Sequence, residues 1–321
     1  MNPALLKPKY DLKPIRDISA LALALGITEE LLINTSKRAD SLYRKAKPIQ
    51  KPDGSIRQTF DAQPPLKAIQ RRIKDRILKR VDFPAYLTGS LSGRDYRTNA
   101  TLHAGSKITI CEDIEGFFPN TSRVRILDIW LNFFRFSEDI ANLLTDLTTM
   151  EGSLPQGAIT SSYLANLAFW DLEPRLQAKL VRINVIYSRY VDDISISSKQ
   201  FLTKIEQTKL IAQVYGMLKQ NGYSAKRRKH ETFTSGNAMF ITKLMMNRKP
   251  ALQPKERQNI RAAVHALEQR IASGESGLEI KTELNRVTSR VGRLGSFHPT
   301  EAKPLKLRLH KVRSVVQIIA S

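Results

Sequence analysis

The sequence predicts an α+β fold in which an antiparallel sheet carries helices on one face. Three observations support this. Short strand-like runs, at 107–111 (KITIC) and in a hairpin-like stretch at 185–197, alternate irregularly with helical stretches rather than in βαβ units. Tight-turn signals such as Asp53-Gly54 join neighbouring short runs, as antiparallel pairing needs. The chain has 321 residues, 41% of them hydrophobic, enough to bury a core in one large multi-lobed unit or two domains.

Taken in order, residues up to about 44 read as helical, with the apolar stretch 18–27 ending in a turn before Thr28-Glu29-Glu30. Residues 48–58 read as a hairpin around Asp53-Gly54. Over 65–81, Leu66, Ile69, Ile73, Ile77 and Leu78 mark an apolar helix face opposite a basic one. The strand 107–111 leads into Glu112-Asp113. Helices are expected over 124–150 and 164–176, and a hairpin at 185–197 with Val191-Asp192-Asp193 at its apex. Leu210, Val214 and Leu218 mark another helix, ending at Asn221-Gly222. A strand or hairpin at 240–247, helices at 254–272 and 279–295, and a basic tail complete the chain.

Lysine and arginine number 52 against 30 acidic residues, a net charge of +22, which predicts a polyanionic partner, nucleic acid first. No uninterrupted stretch of about 18 apolar residues exists to span a bilayer, so no membrane partner is expected. The single cysteine, Cys111, excludes an internal disulfide, and the five histidines lack metal-ligand spacing. Cytoplasm is the expected compartment. A catalytic metal would need oxygen ligands, which favours Mg²⁺. From 245 onward, fifteen Lys/Arg face six Glu and no Asp, which suits a phosphate backbone better than metal chemistry.

Asp192 and Asp193 repel each other unless a cation or water relieves them. Standing alone they would read as a solvated turn. Nucleotidyl transfer uses two divalent ions about 3.5–4 Å apart, bridged by two or three aspartates. Asp113, at the end of the strand 107–111, is the candidate third carboxylate. Gly116 and the aromatics Phe117 and Phe118 follow it and offer a floor for a nucleotide.

The segments DIEGFFPN (113–120), LPQGAITSSYLAN (154–166) and YVDD (190–193) stand in the order and spacing of reverse transcriptase motifs. The sequence therefore resembles the palm of an RNA-directed DNA polymerase. The hairpin KPDGSIR (51–57) resembles the fingers, and NGYSAKRRKH (221–230) a palm segment that approaches nucleotide phosphates. RTNATLHAG (97–105) matches the Asn-Ala-x-x-His signature of bacterial retron reverse transcriptases. Where that family carries Val-Thr-Gly, this chain has Ile241-Thr242-Lys243.

The resemblance implies a right-hand polymerase: an N-terminal helical segment (1–45), fingers (46–106), an antiparallel-sheet palm (107–244, with a helical fingers insertion at about 124–153) and a basic helical thumb (245–321). Too little chain follows the expected palm for an appended RNase H or endonuclease. Asp113, Asp192 and Asp193 would hold two Mg²⁺ ions, with Mn²⁺ as a substitute. Lys51, Arg57, Gln156, Gly157 and Lys229 would meet the nucleotide, with Phe118 under the sugar and Phe117 as the competing choice. Asn99, His103, Thr242 and Lys243 become RNA-binding candidates, although a cap residue and a hydrogen-bonded structural histidine are the plain readings of the first two. The run 226–229 reads equally as a solvated face or a phosphate contact. Implied partners are dNTPs, a structured noncoding RNA, its branched DNA product primed from an RNA 2′-hydroxyl, and an effector protein in anti-phage defence. The alternatives are a reverse transcriptase of abortive-infection or intron type, and a noncatalytic RNA-binding scaffold.

Overall fold

The computed structural model describes residues 6–50, 54 and 56–320. Its first compact unit ends at Thr234. There α1 (Ile18–Leu25) and α2 (Glu29–Ser36) are capped by Asp17 and Thr28, whose side chains accept the amides of Ala20 and Leu31. The strands β1 (Tyr43–Lys45), β2 (Ile49–Gln50), β3 (Ile56–Arg57) and β4 (Phe60–Ala62) form nested hairpins, β1 with β4 and β2 with β3. Helix α3 (Leu66–Arg76) buries Leu66, Ile69 and Ile73, as its periodicity predicts. Part of its basic face is already engaged: Arg72 donates to the Leu25 carbonyl at 2.8 Å and Arg76 to that of Ala24 at 3.0 Å. These are orphan acceptors at the end of α1.

Helix α4 (Tyr96–His103) begins in a capping box between Asp95 and Thr98. The antiparallel sheet is built from β5 (Ile108–Asp113), with α5 (Phe117–Asn120), α6 (Arg123–Asp128) and α7 (Glu138–Thr148) following it in the chain. A π-helical turn at Ile129–Phe133 interrupts the helix expected over 124–150. Helices α8 (Ser161–Leu167) and α9 (Glu173–Arg182) precede the hairpin of β6 (Val185–Tyr190) and β7 (Asp193–Ser198). Helix α10 (Lys204–Gln220) and the edge strand β8 (Glu231–Thr234) complete the unit. The sheet order is β6-β7-β5-β8, antiparallel throughout. Along the outer edge of β6, Arg189 N donates to Tyr86 O at 2.8 Å and Thr88 N to Arg189 O at 2.9 Å. This lays residues 84–89 beside the β6–β7 hairpin, and Arg94 secures that loop by donating to the Phe83 and Leu87 carbonyls, both at 2.6 Å.

The second unit starts at Ser235, ahead of the 244/245 boundary expected from the sequence. The hairpin β9 (Phe240–Ile241) and β10 (Leu244–Met245) forms a two-stranded sheet of its own, extended by a bridge between Met245 and Ala251. Helices α11 (Pro254–Ala272), α12 (Leu278–Phe297) and α13 (Pro299–Ala320) follow. The last replaces the expected basic tail: Ala302, Leu305, Leu309 and Val312 are buried at helical spacing, while Lys303, Lys306, Lys311 and Arg313 are exposed. Arg308 grips Glu268 in a two-point ion pair that ties α13 to α11.

Candidate active site

Strand pairing places the carboxylates. Asp113, the last residue of β5, is the register partner of Asp193, the first of β7. Beyond that pair, the Ile114 amide donates to the Asp192 carbonyl at 2.9 Å. Two residues, Val191 and Asp192, turn the chain between Tyr190 and Asp193, which pair with each other. Val191 does so at φ 60°, a left-handed conformation that is a genuine outlier for a β-branched residue. Gly89 packs against this turn so closely that an added Cβ would lie 2.4 Å from the Val191 nitrogen. Asn166 on α8 donates to the Gly89 carbonyl at 2.9 Å and fixes that approach.

Basic residues converge on the same spot. The segment after α10 pairs with the end of β5, with Lys226 N donating to Asp113 O at 2.7 Å. A tight turn at Arg227–Lys229 then returns Lys229 to an ion pair with the Asp113 carboxylate. The next residue anchors the turn: His230 Nδ1 lies 2.7 Å from Glu112 Oε1, and Tyr215 donates to the same carboxylate at 3.0 Å. The pKa of Asp192 is raised, first by burial and further by the charge of Asp113, while Arg57 and Lys229 oppose the shift. Burial by itself would lower the Lys229 pKa. Its hydrogen bond to Asp113 and the charges of Asp113, Asp193 and Asp192 raise it instead.

All three aspartates therefore act on one ammonium. Among the described residues, however, no three His, Cys, Asp or Glu side chains form a ready-made metal cage. Bare carboxylates repel, and the Lys229 ammonium paired with Asp113 offsets part of that repulsion. The donor set, oxygen only and able to hold a cation, fits hard divalent ions whose remaining ligands come from phosphates.

The other expected residues divide. Arg57 is exposed on β3 and its charge reaches Asp192. Lys51 lies outside the described residues. Phe118 is half-buried and available, whereas Phe117 is core: it stacks on Phe169 at 5.8 Å and packs on Tyr223, so it is corrected from nucleotide contact to packing. Gln156 accepts the Phe60 amide at 2.8 Å through its carbonyl. Gly157, at φ 110°, approaches Phe60 so closely that an added Cβ would lie 2.7 Å from the Phe60 oxygen. Glycine is required there by a backbone contact between this loop and β4.

Asn99 and His103 are fully buried, which rules out direct RNA contact and corrects that expectation. His103 bridges Ser197 at 2.8 Å through Nδ1 and Ser188 at 2.7 Å through Nε2. Asn99 Oδ1 accepts from Ser188 at 2.7 Å and from Thr88 at 2.8 Å. Because Ser188 donates to Asn99, it must accept from His103, so the imidazole carries its proton on Nε2. Nδ1 then accepts from Ser197, which accepts from Ser106. Burial pushes the His103 pKa down to about 3, and the ring stays neutral. The Asn-Ala-x-x-His stretch thus braces the β6–β7 hairpin through Ser188 and Ser197. In the second unit, Thr242 and Lys243 form the turn of the β9–β10 hairpin, and Lys243 is exposed beside Lys255, Asn259 and Arg290.

Sequence reasoning missed Gly89, Arg189 and Glu173. The first carries no local signal. The acidic and basic partners are buried in a 2.7 Å ion pair that only tertiary packing creates.

A family described as "Reverse transcriptase (RNA-dependent DNA polymerase)" matches residues 49–283. The chain is 33% identical over 313 residues to the Retron Se72 reverse transcriptase of Salmonella heidelberg (strain 579083-10), covering 96% of this chain and 83% of that protein. The chain belongs to the bacterial retron reverse transcriptases. A second relative, the Retron Ec48 reverse transcriptase of Escherichia coli, is 29% identical over 316 residues, covering 94% of this chain and 77% of its own length. As a retron reverse transcriptase, the protein is an RNA-directed DNA polymerase of right-hand fold, with an RNA template and a DNA product. Its family uses divalent metal ions.

Proposed function

We propose that this retron reverse transcriptase starts DNA synthesis from a 2′-hydroxyl inside a structured noncoding RNA and copies part of that RNA, giving a branched RNA–DNA molecule. Two Mg²⁺ ions, replaceable by Mn²⁺, are assigned to Asp113, Asp192 and Asp193. When bound, such ions activate the attacking hydroxyl and stabilise the leaving pyrophosphate. The observation that carries this reading is the strand register that sets Asp113 opposite Asp193, with Asp192 bonded through its carbonyl to Ile114 and Lys229 paired with Asp113.

The chain's own groups do the positioning. Lys229 is half-exposed and exchanges Asp113 for the phosphates of an incoming dNTP. Arg57 faces the same phosphates from the fingers hairpin, and Lys51 is assigned there by resemblance alone. The ring of Phe118 lies under the sugar, and Gln156-Gly157 border the nucleotide. Thr242 and Lys243 are assigned to RNA contact from the second unit. An effector protein partner, a role in anti-phage defence and a cytoplasmic location belong to the same proposal.

Primer extension by the purified protein with its RNA, with and without Mg²⁺, tests this. Asp192→Asn should reduce synthesis to background while retaining RNA. Normal synthesis by that variant would overturn the metal assignment. A DNA product not covalently joined to RNA would overturn priming from an RNA 2′-hydroxyl.

A further inference from the structure

We infer that Arg189 is a positioning residue for Asp192, acting through the carbonyl of Val191 and held in place by Glu173. The inference rests on the polymerase reading above and adds the device that keeps its carboxylates in place. Arg189 points from β6 into the core and is fully buried. Its Nε donates to Glu173 Oε1 at 2.7 Å and its Nη2 to Oε2 at 2.8 Å, a two-point pair with the start of α9. Nη2 also donates to Asn166 O at 3.0 Å, and Nη1 to Val191 O at 3.0 Å and Ala165 O at 3.3 Å. All five N–H donors of the guanidinium are used. Tyr187 donates to Glu173 Oε1 at 2.7 Å and holds that carboxylate from β6.

Fold stability alone does not call for this arrangement. A buried ion pair can often be replaced by apolar side chains of similar volume without loss. An apolar side chain cannot hold a carbonyl. Val191 sits at φ 60°, a conformation that persists only where its surroundings over-determine it. Its carbonyl belongs to the peptide plane that leads directly into Asp192. Gly89 presses on the amide side of Val191 and Arg189 holds the carbonyl side. Rotation of that plane would swing the Asp192 carboxylate away from Asp113. The same guanidinium lies 5.1 Å from the centre of Phe169 and 5.8 Å from that of Phe117, the residue before Phe118. One planar cation thus joins the turn, α8, α9 and the buried rings of Phe117 and Phe169. Lysine cannot reproduce this, because it is a single charge without the fork.

The test uses Arg189→Lys and Glu173→Gln in the full chain bound to its RNA, assayed well below their melting midpoints. Arg189→Lys should retain RNA and hold KM for dNTP within about threefold, while kcat falls about 100-fold, the scale of a small misplacement of a catalytic group. Half-maximal activity should require several-fold more Mg²⁺. Glu173→Gln should move both quantities the same way by less, and it decides the matter if Arg189→Lys does not fold. Folded variants with wild-type kcat and Mg²⁺ requirement would overturn the positioning role while wild-type synthesis leaves the polymerase reading intact. A wild-type protein that makes no DNA would overturn both.

Discussion

Gly89 lies so close to Val191 that a single methyl group placed there would come within 2.4 Å of the valine nitrogen. Neither side can yield easily, since Gly89 is tied to Asn166 and Val191 to Arg189. Gly89→Ala should destabilise the protein by about 1–3 kcal/mol through overpacking and lower DNA synthesis by roughly 100-fold. Gly216 in α10 has nothing nearby, so Gly216→Ala is the control and should leave activity unchanged. Urea unfolding and primer extension on the two variants check this.

The adjacent phenylalanines should separate cleanly. Phe117 is buried against Phe169 and Tyr223, so Phe117→Ala should cost about 3–5 kcal/mol of stability. Phe118 is only half-buried, and Phe118→Ala should change stability far less. It should instead let ribonucleotides into the product. Denaturation midpoints and ribonucleotide incorporation read the two effects.

His103 gives a pH dependence whose sign is fixed. Its folded pKa is depressed to about 3 by burial, against an ordinary 6.5 in the unfolded chain. Between those values the unfolded chain binds the extra proton, so stability is complete above about pH 6.5 and declines as pH falls through that window. The slope from this residue approaches about 1.4 kcal/mol per pH unit. His103→Gln should be less stable at pH 8 yet flatter between pH 6.5 and 5, as measured by urea midpoints.

Thr242 and Lys243, at φ 47° and 68°, form a turn that favours glycine. Lys243→Gly should stabilise the second unit by about 1 kcal/mol by relieving left-handed strain. If Lys243 contacts RNA phosphate as proposed, the salt slope of RNA binding should fall by about 1. Melting and RNA binding across a salt series report both.

What was legible in the sequence follows from what chemistry demands locally. Aspartates at strand ends, a lysine after a helix and a glycine in a tight loop stand out because few residue types serve those roles. The edge strand β8 escaped notice because Glu231, Thr232 and Thr234 show no apolar alternation. Helix α13 looked like a tail because its lysines and arginines obscure the stripe of Leu305, Leu309 and Val312. The roles of Asn99 and His103 depend on Thr88, Ser188 and Ser197, ordinary hydroxyls whose convergence only the tertiary fold supplies. Glu173 and Arg189 look like solvent-exposed charges until α9 is docked on the sheet.

The ladder between β5 and β7 has a consequence for how activity should be lost. Side chains on alternate sides of a strand change places if pairing shifts by a single residue. Such a shift would remove Asp193 from opposite Asp113 and at the same time turn buried Ile194 and Ile196 toward the wrong layer. Misaligned chains would therefore be both inert and poorly packed. Turnover per milligram thus counts correctly folded molecules, and heating should thin their number without dulling the survivors.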